Sequence, residues 1–167
     1  MTTIKDIALF AGIDDGAARR FDPALSWRNH PGSETVIDLD DGSTDVLFVV
    51  SGRVRVIHRA DSDKQVILGE LGAGSVFGEI AAIDGVARSA SVTTLEPTRI
   101  ASMPAASFMD LLMCEPKACR AVLGMMAERV RRLTRQLSEH AYLTAVERLY
   151  AELLRLSRPR SGHEGQR

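Results

Sequence analysis

Residues 77–90, FGEIAAIDGVARSA, hold Glu79 and Arg88 nine positions apart among mostly Gly, Ala and Ile. A guanidinium fork can grip two oxygens of a phosphate in bidentate fashion, and Ser89 adds a hydroxyl donor beside it. A carboxylate cannot bind an anion, but it accepts a hydrogen bond from a sugar hydroxyl, as acidic residues do in nucleotide sites. Gly74 and Gly78 flank Ser75, Val76 and Phe77, and glycines there permit a close backbone approach or a positive φ. The run EIAAI reads as one helical turn between two β segments, and the first N–H groups of such a turn have no internal partner. The chemistry is therefore recognition of one molecule by two halves, with a sugar hydroxyl on Glu79 and a phosphate on Arg88 and the turn. A second reading stands beside it, in which Glu79 and Arg88 form an ion pair that closes a loop and the glycines serve turns.

Positioning such a pair requires a frame, and the chain changes character once, near Pro116. Before it, short β-rich runs are predicted at 35–39 (TVIDL), 46–50 (VLFVV), 53–59 (RVRVIHR), 65–71 (QVILGEL), 90–95 (ASVTTL) and 98–103 (TRIASM). DDGST, SG, ADSD, GAGS and EP punctuate them at close intervals, a pattern of closed or sandwiched antiparallel structure. Ahead of the strands, IKDIALFAGI and DDGAARRF read as short helices, and PAASFMDLLM reads as another that opens on Pro104. The whole predicts an α+β chain in three parts: a β-roll, jelly-roll-like, with flanking helices over 1–115, a long helix over 116–142, and a short helix with a polar tail over 143–167.

Along the long helix, Met126, Val130, Leu133 and Leu137 alternate spacings of four and three, the seam of a helix that pairs with another. Its neighbours Arg129, Arg131, Arg132, Arg135 and Glu139 are strongly charged, which favours a homodimer over packing of the seam on the β-roll and reads as a solvated face. His140 falls near the seam. A second seam comes next in Leu143, Val146, Leu149, Leu153 and Leu156, and RPRSGHEGQR reads as a polar tail or linker.

The totals exclude several classes. With 21 basic against 22 acidic side chains the formal charge is -1, so no bulk attraction to nucleic acid or an anionic membrane is expected. No signal peptide and no run approaching the roughly 18 apolar residues of a membrane span is read, and Cys114 and Cys119 match no zinc or redox spacing; a cytoplasmic chain with reduced thiols is expected. His30, His58, His140 and His163 are scattered, and no nucleophile has a recognisable base, so neither a metal nor a cofactor nor an enzyme is predicted.

The run FGEIAAIDGVARSASV resembles the phosphate-binding cassette of cyclic-nucleotide-binding domains. Gly78, Glu79, Ile80, Ala81, Arg88, Ser89 and Ala90 all match its pattern, and DGSTDVLFVVSGRVRV and ILGELGAGSVFGE resemble the family's run into it. The resemblance covers about residues 30–157 and is nearest to the sensory half of bacterial cyclic-AMP-receptor-type regulators. It implies a ribose 2′-hydroxyl on Glu79, the cyclic phosphate on Arg88 and Ser89, backbone donation at Gly78, Ile80 and Ala81, and an apolar wall at Leu71 and Phe77. In that class the long helix brings hydroxyls to the base; the corresponding positions here look like Leu133 and Thr134, leaving one hydroxyl, and Ser89 leans toward cyclic AMP over cyclic GMP. Such regulators contact DNA through a helix-turn-helix after the long helix. VERLYAELLRLS resembles that domain's first helix, and RPRSGHEGQR is too short to hold a recognition helix, so DNA contact is expected only through a domain absent from this chain. A stand-alone sensor acting on protein partners, or a scaffold that binds no nucleotide, are the other expectations.

Overall fold

The structure, a computed structural model, describes residues 2–39, 41–59 and 65–142, with 144, 146–147, 150, 153–154 and 157 beyond them. Two one-turn 3-10 helices, Ile4–Asp6 and Ala8–Phe10, precede α1 (Asp15–Phe21), and a third, Asp22–Ala24, comes after it. Then come β1 (Ser26–His30), β2 (Thr35–Ile37), β3 (Val46–Ser51), β4 (Arg53–Arg59), β5 (Gln65–Gly72), β6 (Val76–Phe77), α2 (Glu79–Asp84), β7 (Ser91–Thr94), β8 (Thr98–Met103), α3 (Ala105–Cys114) and α4 (Pro116–Tyr142).

The strands form two antiparallel sheets, ordered β1-β8-β3-β6 and β2-β7-β4-β5. The VLFVV run of β3 is covered on both sides. Leu47 and Val49 point into a core with Ile37, Val54, Phe77, Val92 and Ile100, to which each sheet contributes. Val46 and Phe48 are also fully buried, and Phe48 packs edge-to-face with Phe10 and tilted against Phe108, at centroid distances of 5.4 and 6.4 Å. One strand thus joins the inter-sheet core to a layer built from the N-terminal turns and α3, and its unbroken apolar sequence results from burial on both faces.

Several sequence expectations need correction. IKDIALFAGI is two 3-10 turns separated by an extended Ile7 (φ -83, ψ 113). Its buried residues, Ile4, Ile7, Phe10 and Ile13, recur every third position, the repeat of a 3-10 helix. Pro104 precedes α3 as its extended N-cap rather than opening it. Two strands lie outside the predicted runs. SWRNH pairs along its whole length with β8, from Ser26 opposite Ser102 to His30 opposite Thr98. The two-residue β6 pairs with Leu47 and Phe48.

The chain divides into two compact units, Met1–Val122 and Leu123–Arg167. In the second, Met126 is half-buried, whereas Leu123, Val130, Leu133 and Leu137 are 63%, 62%, 52% and 72% exposed. Thr144 and Glu147 form a reciprocal cap, Thr144 N–H donating to Glu147 Oε2 at 2.8 Å and Glu147 N–H to Thr144 Oγ1 at 3.4 Å, the signature of a helix start. Leu143, Leu149 and Leu156 of the second seam, the tail from 158 and the His140 side chain lie outside the described residues. Cys114 and Cys119 are free thiols, and among the described residues no helix is long and apolar enough to cross a membrane.

Candidate functional site

The turn α2 is bracketed by two glycines in the left-handed region, Gly78 (φ 79) at its start and Gly85 (φ 73) at its end. Between Gly85 and β7 the chain runs without regular structure, and Arg88 turns inward there to 5% exposure. A buried guanidinium needs acceptors for its N–H groups. Nη1 donates to the Gly78 carbonyl at 3.0 Å; Nη2 donates to the Asp45 carbonyl at 2.8 Å and to Ser43 Oγ at 3.0 Å. Burial pulls the Arg88 pKa down, and the charges of Asp41, Asp45 and Glu79 oppose that, in this order. Gly78 is required twice over, because a Cβ there would adopt a strained φ and would collide with Arg88 Nη1 and, at 2.8 Å, with the Asp45 carbonyl oxygen.

Glu79 opens α2 at 1% exposure, so the acid and the base of the motif are both interior groups. Ala81 and Ala90 are buried as well, small enough to leave the cradle uncrowded, while Ile80 is 48% exposed. Ser89 is exposed, and its carbonyl lies 3.0 Å from His58 Nδ1, which ties the end of the cassette to β4. Phe77 belongs to the inter-sheet core and Leu71 packs against it, half-buried. The structure therefore gathers Gly78, Glu79 and Arg88 into one cradle on the β-roll. Thr134 belongs to the other compact unit, exposed, with its Oγ1 donating to the Val130 carbonyl at 3.0 Å.

Sequence reasoning gave no site role to Ser43, Asp41, Asp45 or His58; Ser43 and the Asp45 carbonyl accept from the guanidinium, Asp41 holds Ser43, and His58 meets the Ser89 carbonyl. A signal for the first two existed in DDGSTD, where an Asp two residues before a Ser is an Asx-turn pattern, although by itself it reads only as punctuation.

The family model described as "Cyclic nucleotide-binding domain" matches residues 27–114, the segment that contains the whole cradle. The cAMP-activated global transcriptional regulator CRP of Haemophilus influenzae is 30% identical over 149 residues, covering 84% of this chain and 66% of that protein. Among solved structures, the catabolite activator protein of Thermus thermophilus superposes with a TM-score of 0.68 at 23% identity, covering 80% of this chain and 62% of that one. The c-di-GMP-responsive global regulator CLP of Xanthomonas campestris superposes with a TM-score of 0.75 at 24% identity, covering 89% and 75%. These two likenesses speak to the fold alone. The chain spans just under two-thirds of the length of the first two relatives.

Proposed function

This chain belongs to the cyclic nucleotide-binding domain family, and from that premise we propose that it is a sensor of cyclic AMP, in preference to cyclic GMP, and not an enzyme. Arg88 pairs with the cyclic phosphate, Ser89 adds a donor, and Glu79 accepts the ribose 2′-hydroxyl. Backbone N–H groups at Gly78, Ile80 and Ala81 complete the anion's shell, while Leu71, Phe77 and Ala90 supply apolar contact. The observation that carries this reading is Arg88 itself, a cation 5% exposed inside a cradle whose small residues match the cassette. The ligand's single negative charge, entering a partly apolar pocket, needs such a partner.

In this reading the chain is the cytoplasmic sensory portion of a regulator of the cyclic-AMP-receptor type, dimeric through the seam of α4. Its β-roll would relay occupancy to that helix, with Thr134 at the base. Ligand can shift only states that it binds unequally, so the relay requires a pocket that differs between them. DNA would be met through a helix-turn-helix domain, as in regulators of that type. A second reading, a scaffold that binds no nucleotide, is favoured by one observation: three of the Arg88 donor contacts go to protein acceptors, as in a purely structural arginine.

Isothermal titration with cyclic AMP and cyclic GMP separates the two. Cyclic AMP is expected to bind at micromolar or tighter affinity, and more tightly than cyclic GMP. Arg88→Ala is expected to cost about 3 to 5 kcal/mol, on the order of a hundredfold to several thousandfold in Kd, because the phosphate is left unpaired. An unchanged Kd in Arg88→Ala removes the assignment; no binding of either nucleotide by the folded chain leaves the scaffold.

A further inference from the structure

One part of the Arg88 cradle lies outside the cassette. Ser43, 45 positions upstream in the segment between β2 and β3, offers its hydroxyl oxygen to Nη2 at 3.0 Å. Ser43 is itself held at two points by Asp41: its N–H donates to Oδ1 at 2.9 Å and its hydroxyl donates to Oδ2 at 3.0 Å. A hydroxyl has one proton, and here that proton is committed to the carboxylate, so only lone pairs are left to face the guanidinium. Asp41 therefore sets the polarity of Ser43 as an acceptor. The same carboxyl is held below the usual range, first by the Ser43 N–H, then by its hydroxyl, with the Arg88 charge contributing as well.

Counting donors shows what this leaves. Nη2 is spent on Ser43 and Asp45, and one N–H of Nη1 on Gly78, whereas Nε is buried and has no hydrogen-bond partner among the described residues. A buried, unpaired N–H on a cation is costly and is the donor with most to gain from an incoming anion. A guanidinium on a long stem also loses rotamer freedom when it binds, and anchoring it beforehand reduces that loss. Asp45 and Gly78 anchor it through backbone carbonyls; Ser43 is the anchor that the sequence can vary.

We propose that Ser43 and Asp41 are positioning residues for Arg88, fixing the guanidinium plane so that Nε–H is kept for the ligand's anionic group. This rests on the reading of the cradle as the phosphate site. It extends the binding machinery to the DDGSTD segment, by a path of hydrogen bonds from Asp41 through Ser43 to Arg88.

The test compares Ser43→Ala and Ser43→Thr with the unaltered chain in two measurements. In titration with cyclic AMP, Ser43→Ala is expected to weaken binding by about three- to tenfold, the effect of one lost anchoring hydrogen bond, and Ser43→Thr to stay within about twofold. In the nucleotide-free chain, the Arg88 Nε–H resonance is expected to exchange with water faster in Ser43→Ala and not in Ser43→Thr. An unchanged Arg88 resonance in Ser43→Ala overturns the inference whatever the affinity does. So does a Kd equal to that of an unaltered chain that binds, or a Ser43→Thr that behaves as Ser43→Ala. If the unaltered chain binds no nucleotide, the phosphate-site reading and the proposal of a kept donor both fall, and the resonance still decides whether Ser43 holds the guanidinium.

Discussion

The cassette around α2 and the part of α4 beyond Val122 depart from the usual placement of polar and apolar side chains in opposite directions. In the cassette a carboxylate and a guanidinium are interior, at 1% and 5% exposure. Along the helix, Leu123, Val130, Leu133 and Leu137 stand more than half exposed. Each departure carries a cost, and the two are met differently. Arg88 finds acceptors within the chain, on Gly78, Ser43 and Asp45. The apolar seam recurs at the spacing of a paired helix, and rows of exposed leucines at such spacing mark association surfaces. The interior charge is thus met within one chain, and the exposed seam is the surface that the proposed dimer would cover. Polar residues such as Arg131 and Arg135 keep the rest of the helix soluble without needing one.

The helix side offers the larger effect. Leu133→Glu places a charge on the seam of each copy of the proposed dimer, forfeiting about 1.5 to 3 kcal/mol of apolar burial per chain before any charge repulsion. Sedimentation is expected to show a dimer for the unaltered chain at micromolar concentration and a monomer for the variant. An unaltered chain that sediments as a monomer breaks the comparison, for the seam would then have no partner copy.

On the cassette side, Gly78→Ala tests whether the cradle is as tightly built as its distances imply. An alanine at φ 79 is strained, and its Cβ would meet both Arg88 Nη1 and the Asp45 carbonyl. The expected loss is about 1 to 3 kcal/mol of folding stability, read by urea denaturation, together with weaker nucleotide binding. Full stability in this variant would mean that the guanidinium moves aside at little cost, and the contrast between a rigid cradle and an uncommitted helix would soften.

The same contrast explains what could be read from the sequence. β2, β3, β4, β5, β7 and β8 were legible because short runs rich in Val, Ile, Leu and Thr are bounded by DDGST, SG, ADSD, GAGS or EP; that VLFVV is buried on both faces came from the structure. β1 was not, since SWRNH has no alternating pattern and is held as a strand by its register with β8. Glu79, Arg88 and the glycines at 74 and 78 were found because they lie close together in the sequence, between positions 74 and 88. The partners of Arg88 in the DDGSTD segment were missed because they are separated from it by 43 and 45 positions, and a turn residue that orients a distant side chain looks like any other turn residue. That both charges are interior had no local signal, because small neighbours such as Ala81 and Ala90 suit a turn as well as a cradle.

Thr134 lies between the two cases, a polar residue on the apolar seam's helix, and it carries the smallest expected effect. Its hydroxyl proton is given to the Val130 carbonyl one turn back, a bond that any helical threonine can make. If Thr134 meets the base in the assembled sensor while keeping that bond, it has only acceptor lone pairs to offer. Adenine presents an N6 amine, a donor, where guanine presents the O6 acceptor, so such a hydroxyl would favour cyclic AMP. Thr134→Val keeps the shape and removes the acceptor. The expected loss is about 0.5 to 1.5 kcal/mol for cyclic AMP, roughly two- to tenfold, with cyclic GMP affinity unchanged, so the ratio of the two Kd values narrows. A ratio that does not move assigns Thr134 to the solvated helix surface and leaves base preference to the β-roll; a ratio that narrows makes this hydroxyl the point at which the helix senses what the cassette holds.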